Sequence, residues 1–141
     1  MLRILVPVDG SENATRVVEF VIMLAAKLKE TDIHLITVRD PMDSLEAHRL
    51  RTDEQIRLFN QQAGESTLAS GRKLLKEAGV PYTANILIGE VAQTIADYAK
   101  VQHCDMIIMG TRGVGTISGF LMGSVASKVV PLASIPVTLV R

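Results

Sequence analysis

The chain has 141 residues, with 15 Lys plus Arg, 15 Asp plus Glu and one cysteine, Cys104. That length is expected to make one domain, able to bury roughly 70% of its unfolded surface without a staple. A formal net charge of zero argues against nucleic acid or an anionic membrane as the main partner, since both select a basic excess, and a lone cysteine excludes an intrachain disulfide.

Residues 2–8 (LRILVPV) form a β-rich apolar run without strict alternation, the pattern of a strand buried on both faces. Its apolar part, before Asp9, is too short for a signal-peptide core or a membrane span. No membrane insertion is expected, and the expected location is the cytoplasm, where a free thiol is at home. Asp9-Gly10 breaks the run, Ser11 is a helix N-cap and Glu12 sits in the first turn. Ala14, Val17, Val18, Val21, Leu24, Ala25 and Leu28 then recur at helical spacing, predicting a helix to about Glu30.

Residues 33–38 (IHLITV) predict the second strand. Residues 39–52 are irregular, with Pro41 and Asp43-Ser44 as breakers, and are a candidate lid because long irregular segments are often functional. Ile56, Phe59, Ala63, Thr67, Leu74 and Ala78 mark one face of a long second helix, closed by Gly79. A third strand follows at 82–88, and Val91, Ile95, Tyr98 and Ala99 mark a third helix. Residues 105–109 (DMIIM) predict the fourth and most apolar strand, and 110–119 a loop. A fourth helix is expected from about 121 to 133, kinked or closed by Pro131, before a fifth strand at 137–140.

Strands joined through helices must run parallel, with right-handed crossovers. The expected fold is therefore α/β: a doubly wound, five-stranded parallel sheet with helices on both faces, Rossmann-like.

In such sheets ligands bind outside the carboxyl ends of the strands, where the strand order reverses. The end of the fourth strand carries Gly110, two residues, Gly113, nine residues, then Gly123-Ser124 opening a helix. Gly110 and Gly113 can take positive φ and let backbone N–H groups approach an anion. Gly123 and Ser124 fall at a helix N-terminus, where unpaired N–H groups and the dipole favour phosphate, and Arg112 adds a positive charge. The other reading is that these glycines only make turns, since Gly115 and Gly119 make the loop glycine-rich anyway. Asp9, ending the first strand, can accept from an adenine amino group or ribose hydroxyls, or can cap the following helix.

With these residues in view, the chain resembles a universal stress protein of the ATP-binding branch over nearly its whole length. The resemblance rests on Ile4-Leu5-Val6-Pro7-Val8-Asp9-Gly10-Ser11, on Asp105-Met106-Ile107-Ile108-Met109-Gly110, on the Gly110, Gly113, Gly123, Ser124 spacing, and on Ser127-Lys128-Val129-Val130 with Ile135-Pro136-Val137. It implies ATP, or ADP or AMP, between the ends of the first and fourth strands, with Mg²⁺ on the phosphates. It implies Asp9 on adenine or ribose beside Val8, Val38 at the adenine, and Gly110, Arg112, Gly113, Gly123, Ser124 and Val125 around ribose and phosphates, with Met109 also in the binding site. It also implies a homodimer through the last strand, about residues 136–140 (Pro136, Val137, Thr138, Leu139 and Val140). Val91 departs from the family where many members carry a proline, and Pro131 is unusual within the last helix.

Several nucleotide enzymes are set aside. There is no Walker A Gly-Lys-Ser/Thr, no GxGxxG after the first strand, no Ser-Gly-Gly-x-Asp-Ser loop and no His-x-Gly-His pair. His34, His48 and His103 are read as structural or solvated, and Cys104 beside His103 as a buried inert thiol. Met106, Met109 and Met122 are read as core or pocket lining. No residue of the 110–124 loop is an obvious general base, so the expectation is a nucleotide-binding stress-response or regulatory protein, at most a slow ATPase. The alternatives are a dimeric interaction module without nucleotide, or a slow ATPase switch.

Overall fold

The computed structural model describes residues 1–41, 49, 51–112 and 122–141. Its elements follow in the order β1 (Leu2–Pro7), α1 (Glu12–Lys27), β2 (Thr31–Arg39), α2 (Asp53–Glu77), β3 (Tyr82–Ile88), α3 (Val91–Val101), β4 (Met106–Gly110), α4 (Ser124–Leu132) and β5 (Val137–Val140). The sheet has the order β3-β2-β1-β4-β5, with every pairing parallel. The chain winds outward from β1 to β3, then crosses back to lay β4 on the other side of β1. The strand order therefore reverses between β1 and β4, which leaves a crevice at their carboxyl ends.

The apolar runs are continuous because both faces of the sheet are covered. Ile4 and Val6 of β1, Ile33 and Leu35 of β2 and Ile108 of β4 point to one face, where Val17, Val18 and Val21 of α1 and Leu68 and Leu75 of α2 pack on them. Leu5, Ile36, Ile107 and Met109 point to the other, under Ala92, Ile95 and Ala99 of α3 and Ala126 and Val129 of α4. Each fully buried aliphatic side chain contributes roughly 1.5–3 kcal/mol, so these two layers are the main source of stability. Close packing of α2 needs small residues. A Cβ on Gly64 would lie 2.6 Å from Ile86 Cγ2, and one on Gly71 would lie 3.2 Å from Leu35 Cδ2.

Element ends differ from the sequence reading where capping or pairing decides them. The first helix stops at Lys27, where the Leu28 N–H bonds back to the Leu24 and Ala25 carbonyls. The second strand runs through Arg39, because β3 pairs along it to the Arg39–Ile88 register, so Arg39 belongs to the sheet and not to an irregular segment. The long helix begins at Asp53 behind a capping box, with Gln55 N–H on the Thr52 hydroxyl and Gln55 Oε1 on the Thr52 N–H. The last helix begins at Ser124, not near 121, with Gly123 as its N-cap, and Pro131 lies inside its final turn. The candidate lid falls largely on residues 42–48 and 50, outside the described residues.

Candidate functional site

At the reversal point the ends of β1, β2 and β4 and the start of α4 enclose a cleft of about 470 Å³, within the usual range for a small-molecule site. Val8, Asp9, Val38, Met109, Gly110, Arg112, Gly123, Ser124 and Val125 all line it. Gly113, the remaining candidate, lies outside the described residues. Thr37, Arg39, Thr67, Val91, Ile95 and Thr111 are also part of the wall.

The floor is made by strands that stop at different heights. Val8 N–H donates to the Ile36 carbonyl at 2.8 Å, the last bond between β1 and β2. The chain then turns out of the sheet through Gly10, whose φ of +81° disfavours any residue with a Cβ. Asp9 Oδ1 accepts from Ser11 N–H at 3.0 Å, and the Ser11 hydroxyl accepts from Ala14 N–H at 3.2 Å. Asp9 therefore braces the turn ahead of the helix, whose N-cap is Ser11, and also lines the cleft.

β2 continues past the end of β1. The Ile36 carbonyl faces β1, and the Arg39 carbonyl faces β3, accepting from Gly89 N–H at 3.0 Å. By alternation, the N–H and C=O of Val38 face the β1 side, above the last β1 pairing and beside the cleft. One backbone donor and one acceptor are thus presented together on the cleft wall. The Arg39 guanidinium sits 5.7 Å from the centre of the Phe59 ring, with that of Arg51 at 4.8 Å, a favourable cation–aromatic arrangement.

The opposite side is the end of β4. Thr111 N–H donates to the Val140 carbonyl at 2.9 Å, which carries the β4–β5 ladder one residue past Gly110. Gly123 N–H donates to the Thr111 carbonyl, so the start of α4 is tied to the end of β4. No side chain caps α4. The amides of its first turn, at Ser124, Val125 and Ala126, therefore lack intrahelical partners and lie in the cleft wall with the positive end of the helix dipole.

Gly110 plays a different part from the one its sequence context suggests. It is the last residue of β4 and is not among the positive-φ glycines. The missing Cβ is needed because the side-chain oxygen of Asn13 occupies its place. Asn13, in the first turn of α1, is buried. Its Oδ1 accepts from Arg112 N–H at 3.0 Å and its Nδ2 donates to the Val140 carbonyl at 3.1 Å. Asn13 is not among the residues that the sequence motifs point to. Its signal was there, because Asn13 falls one and two turns before Val17 and Val21 on the buried stripe of α1.

Of the titratable groups set aside from the sequence, His34, His103 and Cys104 do not line the cleft, and His48 lies outside the described residues. Cys104 is buried, and burial pushes its thiol pKa up, as expected of an inert thiol. His34 bonds Tyr98 Oη through Nδ1 at 2.8 Å and Asp32 Oδ2 through Nε2 at 3.2 Å. Among the described residues no group of three or more His, Cys, Asp or Glu side chains is arranged to hold a metal ion.

Sheet order, helices on both faces and a cleft at the β1/β4 reversal define a doubly wound α/β protein of Rossmann-like class. The chain belongs to the universal stress protein family, whose pattern matches it over residues 1–141. It is 28% identical over 139 residues to universal stress protein MJ0531 of Methanocaldococcus jannaschii, spanning 99% of this chain and 81% of that protein. Its fold superposes on the structure of MJ0577 with a TM-score of 0.84 at 25% identity, covering 98% of this chain and 94% of that one. The universal stress protein of Archaeoglobus fulgidus, solved in complex with dAMP, superposes with a TM-score of 0.69 at 24% identity, covering 100% and 98%.

Proposed function

We propose that this protein binds an adenine nucleotide, ATP or its ADP or AMP forms, in the cleft at the β1/β4 reversal, and acts by binding and not by efficient turnover. The observation that carries this reading is the pairing of two unlike ends in one cleft. One end offers the backbone donor and acceptor of Val38 among Val91, Ile95 and Met109. An adenine edge has the matching acceptor and donor, and its faces suit apolar walls. The other end offers the uncapped first-turn amides at Ser124 and Val125, beside Gly123 and Arg112, suited to phosphate oxygens. Asp9, between them, suits ribose hydroxyls or the adenine amino group. Gly113 belongs to the phosphate side in this reading.

The dAMP held by the A. fulgidus relative supports an adenine nucleotide as the ligand class. Mg²⁺ would accompany a triphosphate, held mainly by phosphate oxygens and water, as this ion prefers. Binding without efficient hydrolysis is favoured because Asp9 is the one carboxylate among the described lining residues, and it already accepts from Ser11 N–H. Homodimerisation through β5 belongs to the same reading. β5 is an edge strand with apolar residues along it, and such edges are normally covered. A cytoplasmic setting fits the free Cys104, and no described helix is long and apolar enough to cross a membrane.

The test is to denature freshly purified protein, identify released nucleotide by mass spectrometry, and titrate Mg²⁺-ATP into stripped protein by calorimetry. Recovered adenine nucleotide or saturable binding is expected. Clean protein with no binding up to millimolar ATP would overturn the reading.

A further inference from the structure

We propose that Asn13 is a positioning residue for the phosphate end of the cleft, acting through the backbone of Arg112. The inference rests on the nucleotide reading above and adds a residue that neither the glycine spacing nor the cleft lining identifies.

Three observations meet at this side chain. Asn13 is only 5% exposed, so its amide must find partners inside the fold. It finds two on different elements, accepting from Arg112 N–H at 3.0 Å and donating to the Val140 carbonyl at 3.1 Å. The same Val140 carbonyl accepts Thr111 N–H at 2.9 Å. Consecutive peptide groups at 111 and 112 are thus held against α1 and the end of β5. The third observation is steric: Gly110 has no Cβ, and Asn13 Oδ1 stands in the space one would fill. The pair Asn13 and Gly110 is a lock whose two halves require each other.

The lock sits where it can matter to a ligand. Arg112 lines the cleft beside Thr111, Gly123 and Ser124. Gly123 N–H is on the Thr111 carbonyl, so the start of α4 leans on the same clamped turn. Arg112 N–H is directed to Asn13 and not to the cleft. Asn13 thus gives the phosphate side no donor of its own. It holds the turn at 111 and 112 on which the start of α4 leans, and donors fixed before binding cost less to organise on binding. The adenine side takes its hydrogen-bonding groups from Val38 of β2, among Val91, Ile95 and Met109, and none from this clamp.

That separation gives the test. ATP and adenosine are titrated by calorimetry into stripped wild-type protein, Asn13→Ala and Asn13→Asp, with exchange of the Arg112 amide followed by NMR. Asn13→Asp keeps an acceptor for Arg112 N–H and loses the donor to Val140. In Asn13→Ala we expect ATP affinity to fall about 10- to 100-fold, the size of one or two lost organising hydrogen bonds, with adenosine affinity changed less than about threefold. Protection of the Arg112 amide should be lost as well. Asn13→Asp should recover part of the ATP affinity together with that protection. Should Asn13→Ala not fold, Asn13→Ser, too short to span both partners, carries the same readouts. Folded variants in which ATP and adenosine weaken equally, or in which neither changes, would overturn the positioning role and leave nucleotide binding standing. Wild-type protein that takes neither ligand would overturn both.

Discussion

The side-chain oxygen of Asn13 stands where a Cβ on Gly110 would be. The last residue of β4 is therefore glycine because a helix on another part of the chain reaches into its place. Gly110→Ala should cost about 1–3 kcal/mol through overpacking of a closed site. The double variant Gly110→Ala with Asn13→Ala should cost less than the sum of the singles, since the second change vacates the space the first one needs. It should not return to wild type, because the Arg112 carbonyl still lies 3.1 Å from the new methyl. Urea unfolding of the four proteins measures the coupling, and strict additivity would contradict it.

Asp9 serves the turn and the cleft together. Asp9→Ala should lower affinity for adenosine and ATP alike, by roughly 10- to 100-fold if the carboxylate accepts a ligand hydrogen bond. Asp9→Asn, which keeps an acceptor for Ser11 N–H and for a hydroxyl, should lie between. Parallel calorimetric titrations with both ligands would decide it, and an effect confined to ATP would put Asp9 on the wrong side of the cleft.

Dimerisation through β5 can be tested without disturbing the sheet. The Pro136 and Val140 carbonyls accept from Ile107 of β4 and from Thr111 just past its end, so by alternation the backbone groups of Leu139 face outward. A proline there removes only an N–H on the open edge. Leu139→Pro should leave a folded protein, with some loss of stability from the missing leucine, and turn a sedimenting dimer into a monomer. A folded Leu139→Pro protein that still sediments as a dimer would place the interface elsewhere.

Packing of α2 on the sheet should discriminate between two glycines one helical repeat apart. Gly64→Ala drives a methyl against three side-chain atoms of Ile86, the nearest at 2.6 Å, whereas Gly71→Ala meets Leu35 at 3.2 Å and 3.4 Å. Gly64→Ala should destabilise by about 1–3 kcal/mol. Gly71→Ala should cost less, because a smaller shift absorbs the contact and alanine is the better helix former by about 1 kcal/mol. Denaturant midpoints give the comparison, and the reverse order would be against it.

Low pH should act through Asp32. Burial pulls the Asp32 carboxyl pKa up, but hydrogen bonds and charge from Arg3, at 2.7 Å, and from His34, at 3.2 Å, outweigh it and hold the group below its ordinary 3.8. A carboxylate whose folded pKa is depressed stabilises the fold above its unfolded pKa, and that contribution is lost as pH falls through the folded value. Stability should therefore drop below about pH 3.8 in a component absent from Asp32→Asn. Denaturation midpoints over an acid pH series, taken for both proteins, test this.

The sequence by itself determined the α/β class, the number and direction of the strands and two of the three strand ends that border the cleft, those of β1 and β4. These follow from local properties: the length of an apolar run, helical spacing, and a turn residue where a strand must stop. Capping and pairing, which depend on one or two neighbours, moved the ends of α1, β2 and α4 by a few residues. Glycine spacing also pointed to the end of β4, which borders the cleft.

Tertiary structure alone decided why Gly110 must be glycine. The reason lies in Asn13, distant in sequence and close only after α1 packs beside β4 and β5. A buried asparagine in an apolar helical stripe signals that a partner exists, but no local rule names Arg112 and Val140 as the two. The unlike ends of the cleft have the same origin. The cleft-facing backbone of Val38 and the uncapped start of α4 come together only when the strand order reverses between β1 and β4 and brings them to one crevice.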